Sequence, residues 1–301
     1  MYAHPIFDKF RNELSGADGE FIAAPFNQKI RRDFISASEA PPGDAAWQRS
    51  HDYYKWIDML EAVDRAEGSF AMIDLGAGFG RWLSAAALAA AGLRDGRRLD
   101  LKLVAVEADD RKYERMATHL QDNGVDRAAC ALVNAVLSDY TGYSLFPKSF
   151  DSCFTPIIDL DVRSDQIQAH LDQCYRRGAW LITLPNDMFL YALKRTISVV
   201  HAMDMLPGQT IFDLLSIDIQ GGELLAIQGS LNSINERIKK MHIRTTSRFN
   251  EFKIYKILTE NNWVINRIYN SSSTAYGEFG DYWCEDGLIS CVNGRFMPRE
   301  I

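Results

Sequence analysis

Asp74, Gly76, Gly78 and Gly80 fall within one heptapeptide, Asp74-Leu75-Gly76-Ala77-Gly78-Phe79-Gly80. It follows the apolar run Phe70-Ala71-Met72-Ile73 and opens an alanine-rich segment over 82–91, the pattern of a strand, a glycine turn and a helix. Glycines let backbone N–H groups approach a ligand, and the helix start behind them favours negative charge, so the turn suits a carboxylate or a phosphate. The spacing is Gly-x-Gly-x-Gly, not the Gly-x-Gly-x-x-Gly of dinucleotide sites. Asp74 closes the strand just before the turn, where its charge would repel a pyrophosphate and attract an ammonium. Taken alone, the turn would serve equally well as a tight strand-to-helix connection.

A second acidic residue sharpens the reading. Leu101-Lys102-Leu103-Val104-Ala105-Val106-Glu107 reads as the next strand of a βαβ unit, with Glu107 at its tip, where a carboxylate can accept both hydroxyls of a ribose. The turn-rich stretch 92–100 explains why it lies beyond the usual spacing of roughly 20 residues. A ligand with an ammonium, a carboxylate and a ribose but no phosphate is S-adenosylmethionine (SAM). The expected cofactor set is Asp74, Gly76, Ala77, Gly78 and Glu107. The adenine is placed between Ala108 and Asp109 on one side and Asn134 and Ala135 on the other, with Asp218 bordering the cofactor from a later strand.

Methyl transfer from a sulfonium needs the acceptor atom held close to the methyl carbon, so positioning supplies much of the rate. A hydroxyl acceptor must also lose a proton. Asp218 follows the buried run 211–217 at the edge where open α/β sheets bind ligands, although a helix-capping role would suit it too. His242 lies on the next strand, over 241–246, and an imidazole titrates near neutrality, which makes it the preferred general base. A buried core histidine is the bland alternative. His201 has a weaker claim, and Glu223 is expected to stabilise the first turn of a helix.

The elements that must position these residues alternate in type along the chain. Residues 1–46 carry short helical patterns broken by Gly16, Gly19, Pro25 and Pro41-Pro42-Gly43, and 47–67 reads as an aromatic-rich helix with Trp47, His51, Tyr53, Tyr54 and Trp56. That helix is core packing or a cap over the cofactor mouth. An amphipathic helix over 110–123, a strand over 130–137, a strand over 241–246, a helix over 250–261 and a closing antiparallel pair over 263–269 and 287–292 complete the pattern. The expected fold is α/β and doubly wound: a mostly parallel seven-stranded Rossmann-like sheet with an antiparallel last strand. Its domains are an N-terminal helical extension or cap, 1–67, and a catalytic domain, 68–301. The latter carries an insert over about 143–198 assigned to substrate binding or a subunit contact, so a homo-oligomer is allowed for.

At 47% apolar and 24% charged residues, the 301-residue chain has the composition of a soluble protein with a large core. A formal charge of −7, with no basic cluster beyond 94–102, argues against a nucleic-acid partner. Five dispersed cysteines, none in C-x-x-C spacing, fit a reducing compartment and no zinc knuckle. The first residues lack a basic region followed by an apolar one, and the longest apolar stretch, 83–93, is too short to span a bilayer. A cytoplasmic protein without a membrane partner is expected.

Three separated motifs resemble the class I SAM-dependent methyltransferases, specifically the FkbM-like family. They are the glycine heptapeptide, Val104-Ala105-Val106-Glu107-Ala108-Asp109, and Ser216-Ile217-Asp218-Ile219-Gln220-Gly221-Gly222-Glu223, which is similar to that family's Lys-Ile-Asp-Val-Glu-Gly-Ala-Glu segment. Asn134 to Asp139, with Gly142, is similar to its third-strand segment. The likeness covers roughly 70–140 and 200–292. Gln220 departs from the carboxylate usual in the family, which weakens any metal or base role at that position, and no metal site is assigned. Arg244 and Thr246 also depart from the family's pattern. The resemblance implies a SAM-dependent methyltransferase acting on a hydroxyl of a small molecule or a sugar or glycan, since the Asn/Asp-Pro-Pro-aromatic segment of nucleobase N-methyltransferases is replaced by Asp218-Ile219-Gln220-Gly221. The alternatives are an NAD(P)-dependent oxidoreductase and a SAM-binding partner protein without turnover.

Overall fold

A computed structural model describes residues 4–11, 18–22, 24–35, 52–147, 158–159, 182–183, 190–277 and 280–297. Its centre is a seven-stranded sheet built from β1 (Ser69–Leu75), β2 (Asp100–Glu107), β3 (Cys130–Asn134), β4 (Leu214–Ile217), β5 (Lys240–Thr245), β6 (Trp263–Tyr269) and β7 (Gly287–Asn293). The order across the sheet is β3-β2-β1-β4-β5-β7-β6, parallel except for β7, which runs antiparallel to both of its neighbours. This is the expected doubly wound fold. Strand order reverses between β1 and β4, and a crevice for ligands opens at the carboxyl ends of strands that flank such a reversal.

Period-2 alternation in β1 sorts its side chains onto two cores. Phe70 and Met72 join one cluster with α1 (Asp52–Arg65), α2 (Arg81–Ala91) and α3 (Asp110–Asp122). Ala71, Ile73 and Leu75 join the other, with α4 (Glu223–Arg237) and α5 (Arg248–Glu260). Helix α1 is not a loose cap: Trp56, Ile57, Met59, Leu60 and Val63 are buried in the first cluster, as are Phe7, Phe10 and Phe26 from the preceding residues. The described part of the N-terminal segment therefore shares a core with the sheet. Trp47, His51 and the Pro41-Pro42-Gly43 turn lie outside the described residues.

The strand expected over 130–137 divides. Cys130–Asn134 stays in the main sheet, whereas Val136–Leu137 pairs with Leu190–Ile197, the strand that also pairs antiparallel with Gly142–Pro147. Both ends of the 143–198 insert thus belong to a second, smaller sheet. Between 148 and 189 the insert lies outside the described residues except for 158–159 and 182–183. No helix among the described residues is long and apolar enough to cross a membrane.

Candidate functional site

The glycine turn leaves β1 with Gly76, Gly78 and Gly80 all at positive φ, where a Cβ costs about 1–2 kcal/mol. Gly76 has a further reason: a Cβ there would lie 1.9 Å from the Asp218 carbonyl oxygen, so the turns after β1 and β4 can touch only through a glycine. The Asp218 N–H in turn donates to the Leu75 carbonyl at 2.9 Å. At Gly78 the space a Cβ would enter is open for 4 Å, a backbone bared toward the crevice.

Glu107 ends β2 directly beside this turn. Its Oε2 accepts from the Gly78 N–H at 2.7 Å and its Oε1 from the Asp109 N–H at 2.8 Å. Burial pushes the carboxyl up, against the pull of the hydrogen bonds from Asp109 and Gly78 and the charge of Lys112. Each carboxylate oxygen has a second lone pair, so acceptor capacity remains for a ligand's hydroxyls.

The residues placed around the adenine are differently occupied. The Asp109 carboxylate caps α3, accepting from the Arg111 and Lys112 N–H groups. Asn134 donates to the Glu107 carbonyl at 3.2 Å and accepts from Lys194 Nζ at 3.0 Å. Ala135 is buried, with its N–H on the same Glu107 carbonyl, and Ala108 is half-buried. The Lys194 contact, which also reaches Asp110, was not legible in the sequence because it arrives from the far end of the insert.

Asp74 is fully buried, and neither carboxylate oxygen has a hydrogen-bond partner. Its closest cation is Lys55 of α1, whose Nζ stands 3.7 Å from Asp74 Oδ1 and 4.7 Å from the centre of the Trp82 ring. A buried carboxylate without hydrogen bonds is costly, which sets Asp74 apart from the other buried acids of the sheet edge. Ser216, paired with Asp74 across the β1–β4 ladder, also has a buried hydroxyl without a partner.

Asp218 stands at the rim, with 19% of its side chain exposed. Its Oδ1 accepts from Gln220 Nε2 and its Oδ2 from Arg244 Nη1, both at 3.1 Å, while Arg244 Nη2 donates to Asp286 at 2.6 Å. Arg244, which bridges Asp218 and Asp286, has no local signal in the sequence because three strand ends converge here from distant parts of the chain. Gln220 and Gly221 both adopt positive φ, and the Gly221 N–H donates to both oxygens of Glu223. Burial pushes Glu223 up to about 7, opposed by the Gly221 hydrogen bond and helped by the charges of Asp218 and Asp286.

His242 does not join this cluster, which corrects its assignment as the preferred base. Its ladder partner is Ser216, so it lies two residues below the level of Asp218. The imidazole is only 1% exposed, and Nδ1 meets Asp58 of α1 at 2.8 Å. Burial holds the imidazole down against the Asp58 carboxylate, and Lys55 opposes its protonation further. Asp58 also receives Lys240, Arg267 and Ser290. Burial alone would raise its pKa, but Lys240 and His242 hold it well below the usual range. The histidine is a staple between α1 and β5, closed off from solvent. His201 lies in the short helix Val199–Met203, outside the cluster. Among the described residues no group of three or more metal-ligating side chains is arranged to hold an ion.

The family model described as Methyltransferase FkbM domain matches residues 74–262, from the glycine turn to the start of β6. A protein of Jannaschia sp. (strain CCS1) that itself carries only a provisional methyltransferase description is 28% identical over 249 residues, covering 82% of this chain and 80% of that one. Among solved structures, the methyltransferase FkbM from Methylobacillus flagellatus KT is similar at a TM-score of 0.42 and 15% identity, covering 75% of this chain and 44% of that one. The precorrin-6y C5,15-methyltransferase from Geobacter metallireducens GS-15 is similar at 0.41 and 11% identity, covering 79% and 86%. Both structures are too distant to bear on substrate.

Proposed function

Because the chain belongs to the FkbM methyltransferase family, we propose that it transfers a methyl group from SAM to a hydroxyl oxygen of a small molecule or a glycan. The observation that carries the reading is the meeting of the two turns: Gly76 against the Asp218 carbonyl brings a cofactor cradle and a partly exposed carboxylate to one sheet edge. The family match removes the oxidoreductase alternative.

The donor set fits this cofactor. Asp74 offers a buried anion to an ammonium, Gly78 presents bare backbone, and Glu107 retains acceptor capacity for ribose hydroxyls. The bound cofactor would supply an electrophilic methyl carbon on a sulfonium. The chain's own residues supply position and a proton acceptor. Arg244 and Gln220 fix the Asp218 carboxylate in one orientation, and Glu223 fixes the turn that carries Gln220. Asp218 is the residue at the rim able to take a hydroxyl proton, a contribution worth about 10²–10⁴ in rate.

Incubating the protein with SAM and a panel of hydroxylic small molecules and oligosaccharides, and following S-adenosylhomocysteine, tests the reading. Release dependent on one hydroxylic acceptor, and lost in Asp218→Asn, is the expected result. Methylation confined to amines would overturn the O-methyl assignment.

A further inference from the structure

Lys55 has no place in the function described so far, yet among the described residues it is the cation paired with Asp74, whose two buried carboxylate oxygens both lack a hydrogen bond. Its side chain is 4% exposed, while that of Asp74 is fully buried, and the 3.7 Å between their charges is too long for a hydrogen bond. The ammonium is held against the Trp82 face at 4.7 Å, which fixes its position without using its N–H donors. Two opposite charges are thus kept side by side but apart at the end of β1, next to the Ser216 hydroxyl, which also lacks a partner.

We propose that Lys55 and Asp74 together form the receptor for the amino-acid head of the cofactor, Asp74 taking the α-ammonium and Lys55 the carboxylate. An α-amino acid carries both charges on one carbon, so it needs an anion and a cation as neighbours, which is what this pair presents. If Lys55 served only to neutralise Asp74, direct contact at hydrogen-bond distance would be the more stable arrangement. Delivery from α1 also gives the N-terminal helix a role in cofactor recognition, because Asp58, one turn further on, staples that helix to β5 through His242 and Lys240.

This inference rests on the SAM reading and is tested separately from it. S-adenosylhomocysteine and 5′-methylthioadenosine share adenine, ribose and thioether sulfur, but only the first has the amino-acid head. Calorimetric titration of wild type and Lys55→Met with both ligands should show about a 10- to 100-fold loss for S-adenosylhomocysteine, the range for a hydrogen bond to a charged group. Methylthioadenosine affinity should stay within about twofold, which also reports that the variant is folded. Lys55→Arg should restore most of the loss, and Lys55→Gln repeats the test if the methionine variant does not fold. Equal losses for both ligands, no loss, or tighter binding of S-adenosylhomocysteine would overturn the proposal. Failure of wild type to bind either ligand would overturn the SAM reading itself.

Discussion

His242 Nδ1 and Asp58 Oδ2 lie 2.8 Å apart beneath a helix that seals both residues from solvent. Asp58 also meets Lys240 at 2.8 Å and Arg267 at 3.0 Å, so removing its carboxylate leaves both cations with Glu61 alone. Asp58→Ala should lose about 3–5 kcal/mol of stability in urea denaturation, the range for breaking a buried ion pair from one side. His242→Ala should also be destabilised, yet keep its rate per folded molecule in single-turnover methyl transfer.

Gly76 and Gly78 share a left-handed backbone but not a neighbourhood. Gly78→Ala should cost about 1–2 kcal/mol, the penalty for a Cβ at positive φ. Gly76→Ala adds a clash with the Asp218 carbonyl and should cost clearly more, with the two variants compared in the same denaturation experiment.

Glu223 is raised from 4.5 to about 7 by burial. A folded-state pKa above the unfolded one means that its contribution to stability is fully present below pH 4.5 and is lost as pH rises through about 7. The wild type should therefore lose ground to Glu223→Gln across that window, by a few kcal/mol at most since one pKa unit is worth about 1.4 kcal/mol. Urea midpoints for both proteins at pH 5 and pH 8 check this. A difference between the two proteins that does not change with pH would show that Glu223 is ionised throughout.

The strands were readable because each is a short apolar run ending in a turn residue, and β1, β2, β5, β6 and β7 lie within a residue or two of where their patterns place them. The strand over 130–137 was misjudged at Ala135, where apolar runs on both sides of Asn134 read as one strand and hide a change of sheet. Lys55 and Asp58 escaped notice for a different reason. On an amphipathic helix, charged residues read as the solvent face, whereas here both are buried against polar residues of the strands. His242 was misread in the same way, because its type and strand were visible but not the helix above it. The Arg244 cluster depends on three strand ends meeting, which no local pattern encodes.

Asp218→Asn should lower single-turnover methyl transfer by about 10²–10⁴, the range for a general base, and leave S-adenosylhomocysteine affinity nearly unchanged. Near-native rates in this variant would assign the chemistry to positioning alone.

The central claim is that the glycine turn and Glu107 hold SAM. Titrating wild type and Glu107→Ala with S-adenosylhomocysteine by calorimetry, with NAD as the comparison ligand, tests it most directly. Saturable binding of S-adenosylhomocysteine by wild type, weakened by about 1–3 kcal/mol in the variant, with no heat from NAD, is the predicted result. Folded wild-type protein that ignores S-adenosylhomocysteine, or binds it equally well without Glu107, would contradict the account.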